Sequence, residues 1–402
     1  MGNEVELSTV ITDIAAGPFG SNLKVECFVP SGFPIIDGAN LKGYKVTDNI
    51  TKFVTEEKAR SLSRSIAHRG DVIVTISGTI GQIAYIPEDS LYDEYLCSQR
   101  QFRVSFDSSM VYVPYLVFYF HTFEGQNKIL SFANQTGVPA LSQPLKNFKK
   151  IRLCLPSLQE QRRIASIVET INDKIENNIK INDNLEQQAQ SYFQELFVDN
   201  ADPEWTTGTI SDLGTVVGGS TPSKAKPEYY TESGIAWITP KDLSINKSKF
   251  VSHGENDITE LGLKNSSAAI MPEGTVLFSS RAPIGYIAIA AGEVTTNQGF
   301  KSVVPKPEIG TPFVYFFLKN TLPVIEGMAS GSTFKEVSGS TMKNVPAVIP
   351  DAETLAKFSD FCAPIFAQQR ILEEQNQSLA TLRDNLLPKL MSGEIDVSAV
   401  QL

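Results

Sequence analysis

A chain of 402 residues, 42% hydrophobic and 20% charged, is too long for one ordinary core and too apolar for disorder, so two or three domains are expected. The net charge of −10 excludes a uniformly basic nucleic-acid binder. The longest apolar run, 110–120, contains Pro114 and is too short to cross a bilayer, and the first six residues lack the basic and apolar stretches of a signal peptide. With four scattered cysteines (Cys27, Cys97, Cys154, Cys362), these features point to a reduced, cytoplasmic protein without a membrane role.

In the first segment, short apolar runs alternate with turn residues. Residues 33–36 and 71–76 read as strands, and Ser77-Gly78-Thr79-Ile80-Gly81 turns the chain into a third at 82–86. Residues 113–120 carry a proline one residue in and stay apolar all round, which predicts a buried helix. A loop from Thr136 to Pro144 and a strand near 151–155 close a mixed α/β domain.

Pro156 to Val198 then reads as one long helix. Ile164, Val168, Ile171, Ile175, Leu185, Ala189, Tyr192 and Leu196 alternate in spacing between four and three, interrupted by Asn178 and Asn182. At roughly 1.5 Å per residue, this is a rod on the order of 60 Å that needs a partner.

The same order of elements returns about 200 residues later. Ile36–Leu41 matches Ile238–Leu243 at an offset of 202, Gly70 and Gly81 match Gly274 and Gly285 at 204, and Pro114-Tyr115 matches Pro312-Phe313 at 198. Lys146-Asn147 matches Lys343-Asn344 at 197 and Pro156 matches Pro350 at 194. The helix repeats at 194, placing Ile164, Ile171, Asn182, Leu185 and Leu196 on Phe358, Ile365, Asn376, Leu379 and Leu390, with Leu372 and Leu386 in the same seam. Pro364 and Pro388 should kink this copy. The seam asparagines either face solvent near a fraying point or are buried to fix register; recurrence at Asn376 favours burial.

The expected fold is therefore α+β: mixed α/β domains at 1–156 and 201–350, helices at 157–200 and 351–402 pairing as an antiparallel two-helix coiled coil, and a pseudo-two-fold internal repeat. Each helical segment carries a charge of −4, leaving the domains nearly neutral at 0 and −2. A near-neutral domain can still present a basic face.

Signals for catalysis are missing. His68, His121 and His253 lack metal or triad spacing, no phosphate-binding or dinucleotide-binding glycine loop occurs, and no Asn/Asp-Pro-Pro-aromatic motif of an adenine methylase is present. No catalytic residue, metal site or cofactor is assigned to this chain.

Leu382-Arg383-Asp384-Asn385-Leu386-Leu387-Pro388-Lys389-Leu390-Met391-Ser392-Gly393-Glu394-Ile395 is similar to the terminal helix signature of the DNA-specificity subunits of type I restriction–modification enzymes. Residues 155–164 (Leu-Pro-Ser-Leu-Gln-Glu-Gln-Arg-Arg-Ile) resemble the start of that family's central helix. Gly17-Pro18-Phe19-Gly20-Ser21 and Gly219-Ser220-Thr221-Pro222-Ser223 resemble loops near the start of its two target-recognition domains. The resemblance covers essentially the whole chain. It implies a non-catalytic subunit whose two domains each read half of a split, asymmetric site in double-stranded DNA. The helices would serve as spacer and as docking surface for two methyltransferase subunits, with restriction/translocase subunits in the full complex. S-adenosylmethionine, ATP and Mg would then belong to those partners.

Candidate DNA-reading residues follow from loop position and chemistry, with Arg and Lys suited to guanine and Asn and Gln to adenine. In the first domain they are Lys42, Tyr44, Lys45, Ser98, Gln99, Arg100, Gln101 and the loop from Thr136 to Ser142. In the second they are Lys224, Lys241, Arg281, Asn297, Gln298, Ser332, Thr333 and Lys335. Gln99 and Gln298 are explained equally by structural hydrogen bonds. Two rival readings remain: a scaffold whose duplicated domains bind protein or carbohydrate, and an enzyme with a site assembled from both domains.

Overall fold

A computed structural model describes residues 3–134, 137–331 and 335–400. Contacts divide the chain into two compact units, Met1–Lys174 with Leu379–Leu402, and Ile175–Ser378. Each contains one mixed α/β domain and a stretch of both long helices.

In the first unit an antiparallel sheet runs in the order Ile11–Ala16, Gln101–Phe106, Val72–Thr75, Ile83–Tyr85. A second sheet orders Phe28–Val29, Phe53–Val54, Phe33–Ile36, Glu94–Cys97 and Ile66–His68, with Phe33–Ile36 parallel to Glu94–Cys97. The all-apolar helix forms over Val113–His121, with Pro114 in its first turn and Tyr115 to Phe120 buried. It packs in one core with Val72, Val74, Phe102, Val104 and Ile164, Val168, Leu387 and Leu390 from the long helices.

The second unit repeats this plan. Its sheet orders Gly214–Gly218, Lys301–Pro305, Val276–Ser280, Ile284–Ala290 and Phe250–Val251. The register also repeats: Val72 pairs with Tyr85 and Val276 with Ile289, both shifted by 204. Its companion sheet sets Ile235–Ile238 parallel to Thr295–Thr296, as Phe33–Ile36 lies along Glu94–Cys97. The apolar helix here is Thr311–Met328, which tolerates Pro323 inside it.

The two long helices span Leu158–Gln194 and Ala352–Ser392, and the second runs on through Pro364 and Pro388 without ending at either. A π-helical turn, Glu195–Asp199, follows the first. Every predicted seam position is buried or half-buried. Within the second unit the helices run antiparallel, with Asn178 opposite Asn376, Asn182 opposite Gln369 and Tyr192 against Phe358 and Phe361. Phe193, absent from the predicted seam, centres an aromatic cluster with Phe197, Phe313, Phe316 and Phe358. Burying such a ring contributes about 1.5–3 kcal/mol.

The asparagine expectation needs one correction. Asn178 is fully buried, so the solvent-facing reading fails for it. Its amide meets Asn376, the residue that the repeat aligns with Asn182. Asn182 is half-buried and donates to the Gln369 carbonyl at 3.5 Å. Repeat equivalence names symmetry mates, whereas contact in an antiparallel pair is set by where the helices cross.

Candidate functional site

Each domain carries a cleft at the same place in its fold. The first, about 630 Å³, is lined by Phe28, Ile35, Asp37–Ala39, Lys52, Ser77–Thr79 and Ser98–Gln101, among others. The second, about 600 Å³, is lined by Lys224, Tyr230, Trp237, Thr239–Asp242, Asn256, Asn297 and Gln298, among others. At offsets of 199 to 204, Phe28 answers to Tyr230, Ile35 to Trp237, Asp37 to Thr239, Lys52 to Asn256 and Gln99 to Gln298.

One rim is a capped turn in both halves. Asp37 accepts from the Ala39 N–H at 2.9 Å while its own N–H donates to Asn40 Oδ1 at 3.1 Å. At the equivalent positions, Thr239 donates from its N–H and hydroxyl to Asp242 Oδ2, at 2.7 and 2.6 Å. Each turn uses its first and fourth residues to satisfy backbone donors at its start. That is the physical content of the match between Ile36–Leu41 and Ile238–Leu243.

A second part of the rim depends on a glycine. A Cβ on Gly17 would lie 1.8 Å from the Ser98 carbonyl oxygen, and one on Gly219 would lie 1.9 Å from that of Asn297. These glycines let the loops around 17–20 and 219–221 lie directly on the segments 98–101 and 297–300. The glutamines then fasten the loops: Gln99 Nε2 donates to the carbonyls of Gly20 and Leu23, and Gln298 Oε1 accepts from the Thr221 hydroxyl. Both glutamines therefore make the structural bonds that were the alternative to base reading.

The remaining candidates divide by position. Arg100 is exposed at the first cleft, beside Gly78. Gln101, 1% exposed, lies beneath it and accepts a bond from the Ser98 hydroxyl. The bridges Gln101–Thr75 and Phe300–Ser279 align Gln101 with Phe300, so this buried amide stands where the other half has a core ring. Ser142 ends a loop whose Pro139 carbonyl accepts from Gly78 N–H at 2.9 Å, which brings the loop against the first cleft. Lys224 is exposed at the second cleft, and Lys241 is bonded to Glu255 at 2.6 Å, a contact that raises its pKa. Arg281 pairs with Glu336 at 3.4 Å, next to exposed Lys335. Thr136, Ser332 and Thr333 lie outside the described residues.

Lys42, Tyr44 and Lys45 are not at the cleft. Lys42 is exposed. Tyr44 packs edge-on to Phe118 at 4.8 Å, lies 4.5 Å from the His121 ring, and carries Arg383 over its face. Lys45 bonds to Asp173 of the central helix at 3.2 Å. These contacts seat the domain on the helices, and no local pattern distinguishes them from a loop free to bind. Sequence reasoning missed Lys52, Trp237, Tyr230 and Asn256. The repeat offers a signal for them, since each falls on a position aligned with a cleft residue of the other half.

Lys52 donates to Asp37 Oδ2 at 2.6 Å. Burial pushes the Asp37 carboxyl up, but the bonds from Lys52 and the Ala39 N–H outweigh it and hold the acid below its ordinary range. The first cleft thus presents a fixed carboxylate–ammonium pair beside the exposed Arg100. Such a surface of amides, cations and a carboxylate is suited to hydrogen-bonding a polar, charged partner along a groove. Among the described residues, no group of side chains is arranged to hold a metal ion, and no helix is long and apolar enough to cross a membrane.

Residues 29–187 and again 203–382 match the type I restriction modification DNA specificity domain. The type I restriction enzyme MjaIX specificity subunit of Methanocaldococcus jannaschii is 39% identical over 194 residues, 46% of this chain and 45% of that one. The chain thus spans about half the length of that relative. The HindI specificity subunit of Haemophilus influenzae is 22% identical over 392 residues, 78% of this chain and 84% of its own. The crystal structure of an S subunit of the type I restriction–modification system of M. genitalium has the same fold, with a TM-score of 0.59 at 16% identity, covering 97% of this chain and 96% of that one.

Proposed function

Because the chain belongs to the type I restriction–modification DNA specificity family, we propose that it is the subunit that reads DNA for a methylase and nuclease, one half-site in each of its two domains. The observation that carries this reading is the repeated cleft. Two pockets of similar size and equivalent position differ in the side chains that line them: Arg100, Lys52 and Asp37 in one, Lys224, Lys241, Asn256 and Asn297 in the other. Equivalent frames with unequal polar groups suit two different half-sites, and hence a bipartite, asymmetric target.

In this reading the chain supplies recognition and no chemistry. Two adenine-N6 methyltransferase subunits dock along the long helices and bring S-adenosylmethionine; restriction/translocase subunits bring ATP and Mg. The helices would set the half-site separation, for which one helical turn of DNA is the natural choice. A nearly neutral pair of domains leaves much of the phosphate-dependent affinity to the partners. Of the candidate residues, Arg100 and Lys224 are the proposed base and phosphate contacts; Gln99 and Gln298 hold the loops that frame them, and Asn297 closes its own turn by accepting the Gly299 N–H at 2.9 Å. The test is methylome sequencing of cells with the chain present and deleted. Loss of one bipartite adenine-methylated motif is expected; an unchanged methylome overturns the proposal.

A further inference from the structure

In the second unit, a buried network of charge joins the globular domain to both long helices. Lys249, immediately before the strand Phe250–Val251, is 7% exposed. Its ammonium lies 2.6 Å from Glu186 Oε2 on the central helix and donates to Gln369 Oε1 on the C-terminal helix at 2.7 Å. It also sits 3.8 Å from the centroid of the Phe366 ring. Glu186 in turn accepts from Lys319, from the Tyr315 hydroxyl at 3.1 Å and from Gln369 Nε2 at 3.4 Å. One turn further on, Glu373 accepts the backbone N–H groups of Lys249 and Phe250 at 2.7 and 3.0 Å. The domain is thus held at one point by acceptors from two different helices.

The internal repeat shows that the fold does not require this network. At the corresponding positions of the first half, Lys249 becomes Tyr44, since Phe250 opposite Ile289 answers to Lys45 opposite Tyr85; Tyr315 becomes Val117, Lys319 becomes His121, Gln369 becomes Ile175 and Glu373 becomes Ile179. Glu186 falls on Ala380. The same architecture forms there with Lys45 paired to Asp173, in a contact whose side chains are 30% and 57% exposed. Burying charges costs desolvation, and apolar substitutes of similar size are often no less stable, so stability alone does not account for the buried cluster. An ammonium bonded in fixed directions to two helices, in a surrounding of aromatic rings, resists rocking of the domain more strongly than an exposed pair does.

We propose that Lys249, Glu186 and Gln369 are positioning residues that fix the angle at which the second DNA-reading domain is carried on the helices, and so restrict the spacer length accepted between half-sites. The proposal rests on the reading of the chain as a DNA specificity subunit.

The experiment uses the full chain assembled with its methyltransferase subunits and a set of duplexes in which both half-sites are constant and the spacer changes by one base pair at a time. The double variant Lys249→Met/Glu186→Gln removes the buried pair together and leaves the half-buried Lys319 in place. On spacers one base pair longer and shorter than the preferred one, it is expected to gain about tenfold in methylation rate over the unaltered chain, with half-site sequences and thermal midpoint unchanged. Asp173→Asn, in the first half, should leave spacer preference as it was. Where the double variant does not fold, Gln369→Met carries the test, because it keeps the ion pair and removes the bond from the Lys249 ammonium to the C-terminal helix. A folded variant with unaltered spacer preference, or equal broadening by Asp173→Asn, overturns the positioning role. Absence of sequence-dependent methylation by the unaltered complex would overturn the specificity reading, and this proposal with it.

Discussion

Asn178 donates from Nδ2 to Asn376 Oδ1 at 2.9 Å between the two long helices, and Asn178 has no exposed surface. Its own Oδ1 is buried and lacks a donor among the described residues. A polar pair at such a position lowers stability and makes one register preferable to others. Asn376→Leu alone should cost about 1–3 kcal/mol, because it strands a buried amide. Asn178→Leu/Asn376→Leu should melt at or above the unaltered chain while losing uniform assembly with the methyltransferase subunits. Circular dichroism melting and size-exclusion chromatography of the complexes read the two outcomes.

The cleft glycines yield a sharper separation of the halves. A methyl group at Gly17 meets the Ser98 carbonyl and one at Gly219 meets that of Asn297, and backbone cannot move aside as a flexible side chain can. Gly17→Ala and Gly219→Ala should each cost about 1–3 kcal/mol of stability. Gly17→Ala should impair discrimination at one half-site and Gly219→Ala at the other. Binding competition with duplexes altered in a single half-site measures this; equal loss at both half-sites would contradict one cleft per half-site.

Arg100 and Lys224 should differ in kind as well as in place. Arg100→Ala is expected to weaken binding by about 1–3 kcal/mol and to relax the base preference at one position. Lys224→Ala should weaken binding alike on all sequences and reduce the slope of log K against log salt by about one. Fluorescence anisotropy of the assembled complex over a salt series distinguishes the two patterns.

Acid stability depends on Glu186 and Glu373, and the two act in opposite directions. Burial pushes Glu186 up, but Lys249 and Lys319 outweigh it and leave its pKa below the ordinary 4.5. Its contribution is therefore complete above 4.5 and is lost as pH falls through the lowered folded value. For Glu373 burial prevails over its backbone bonds and raises the pKa above 4.5. The folded state then holds that proton longer, so stability declines as pH rises from 4.5 through the raised value. In thermal melts from neutral into acid pH, Glu186→Gln should flatten the acid limb and Glu373→Gln the slope above 4.5.

The amino-acid order by itself determined the repeat, the long helices and the class of fold. Those features are written in short-range spacing: threes and fours along 164–196, strand–turn–strand around Ser77–Gly81, Pro114 and Pro312 opening equivalent helices. Each helix and strand signal needs only neighbouring residues to be read, and the repeat needs only the order of those signals compared along the chain. The clefts were partly legible, because Ser98–Gln101 and Asn297–Gln298 follow equivalent strands and their chemistry is polar. Tertiary structure alone decided what each side chain does there. It turned Gln99 and Gln298 to the loops, buried Gln101 where the other half has Phe300, and laid Tyr44 and Lys45 against the helices. It also paired Asn376 with Asn178 instead of its repeat mate, and gathered Lys249, Glu186 and Gln369 from segments more than sixty residues apart. Such partners depend on where separate elements cross, and a local pattern of apolar and polar residues holds no record of that.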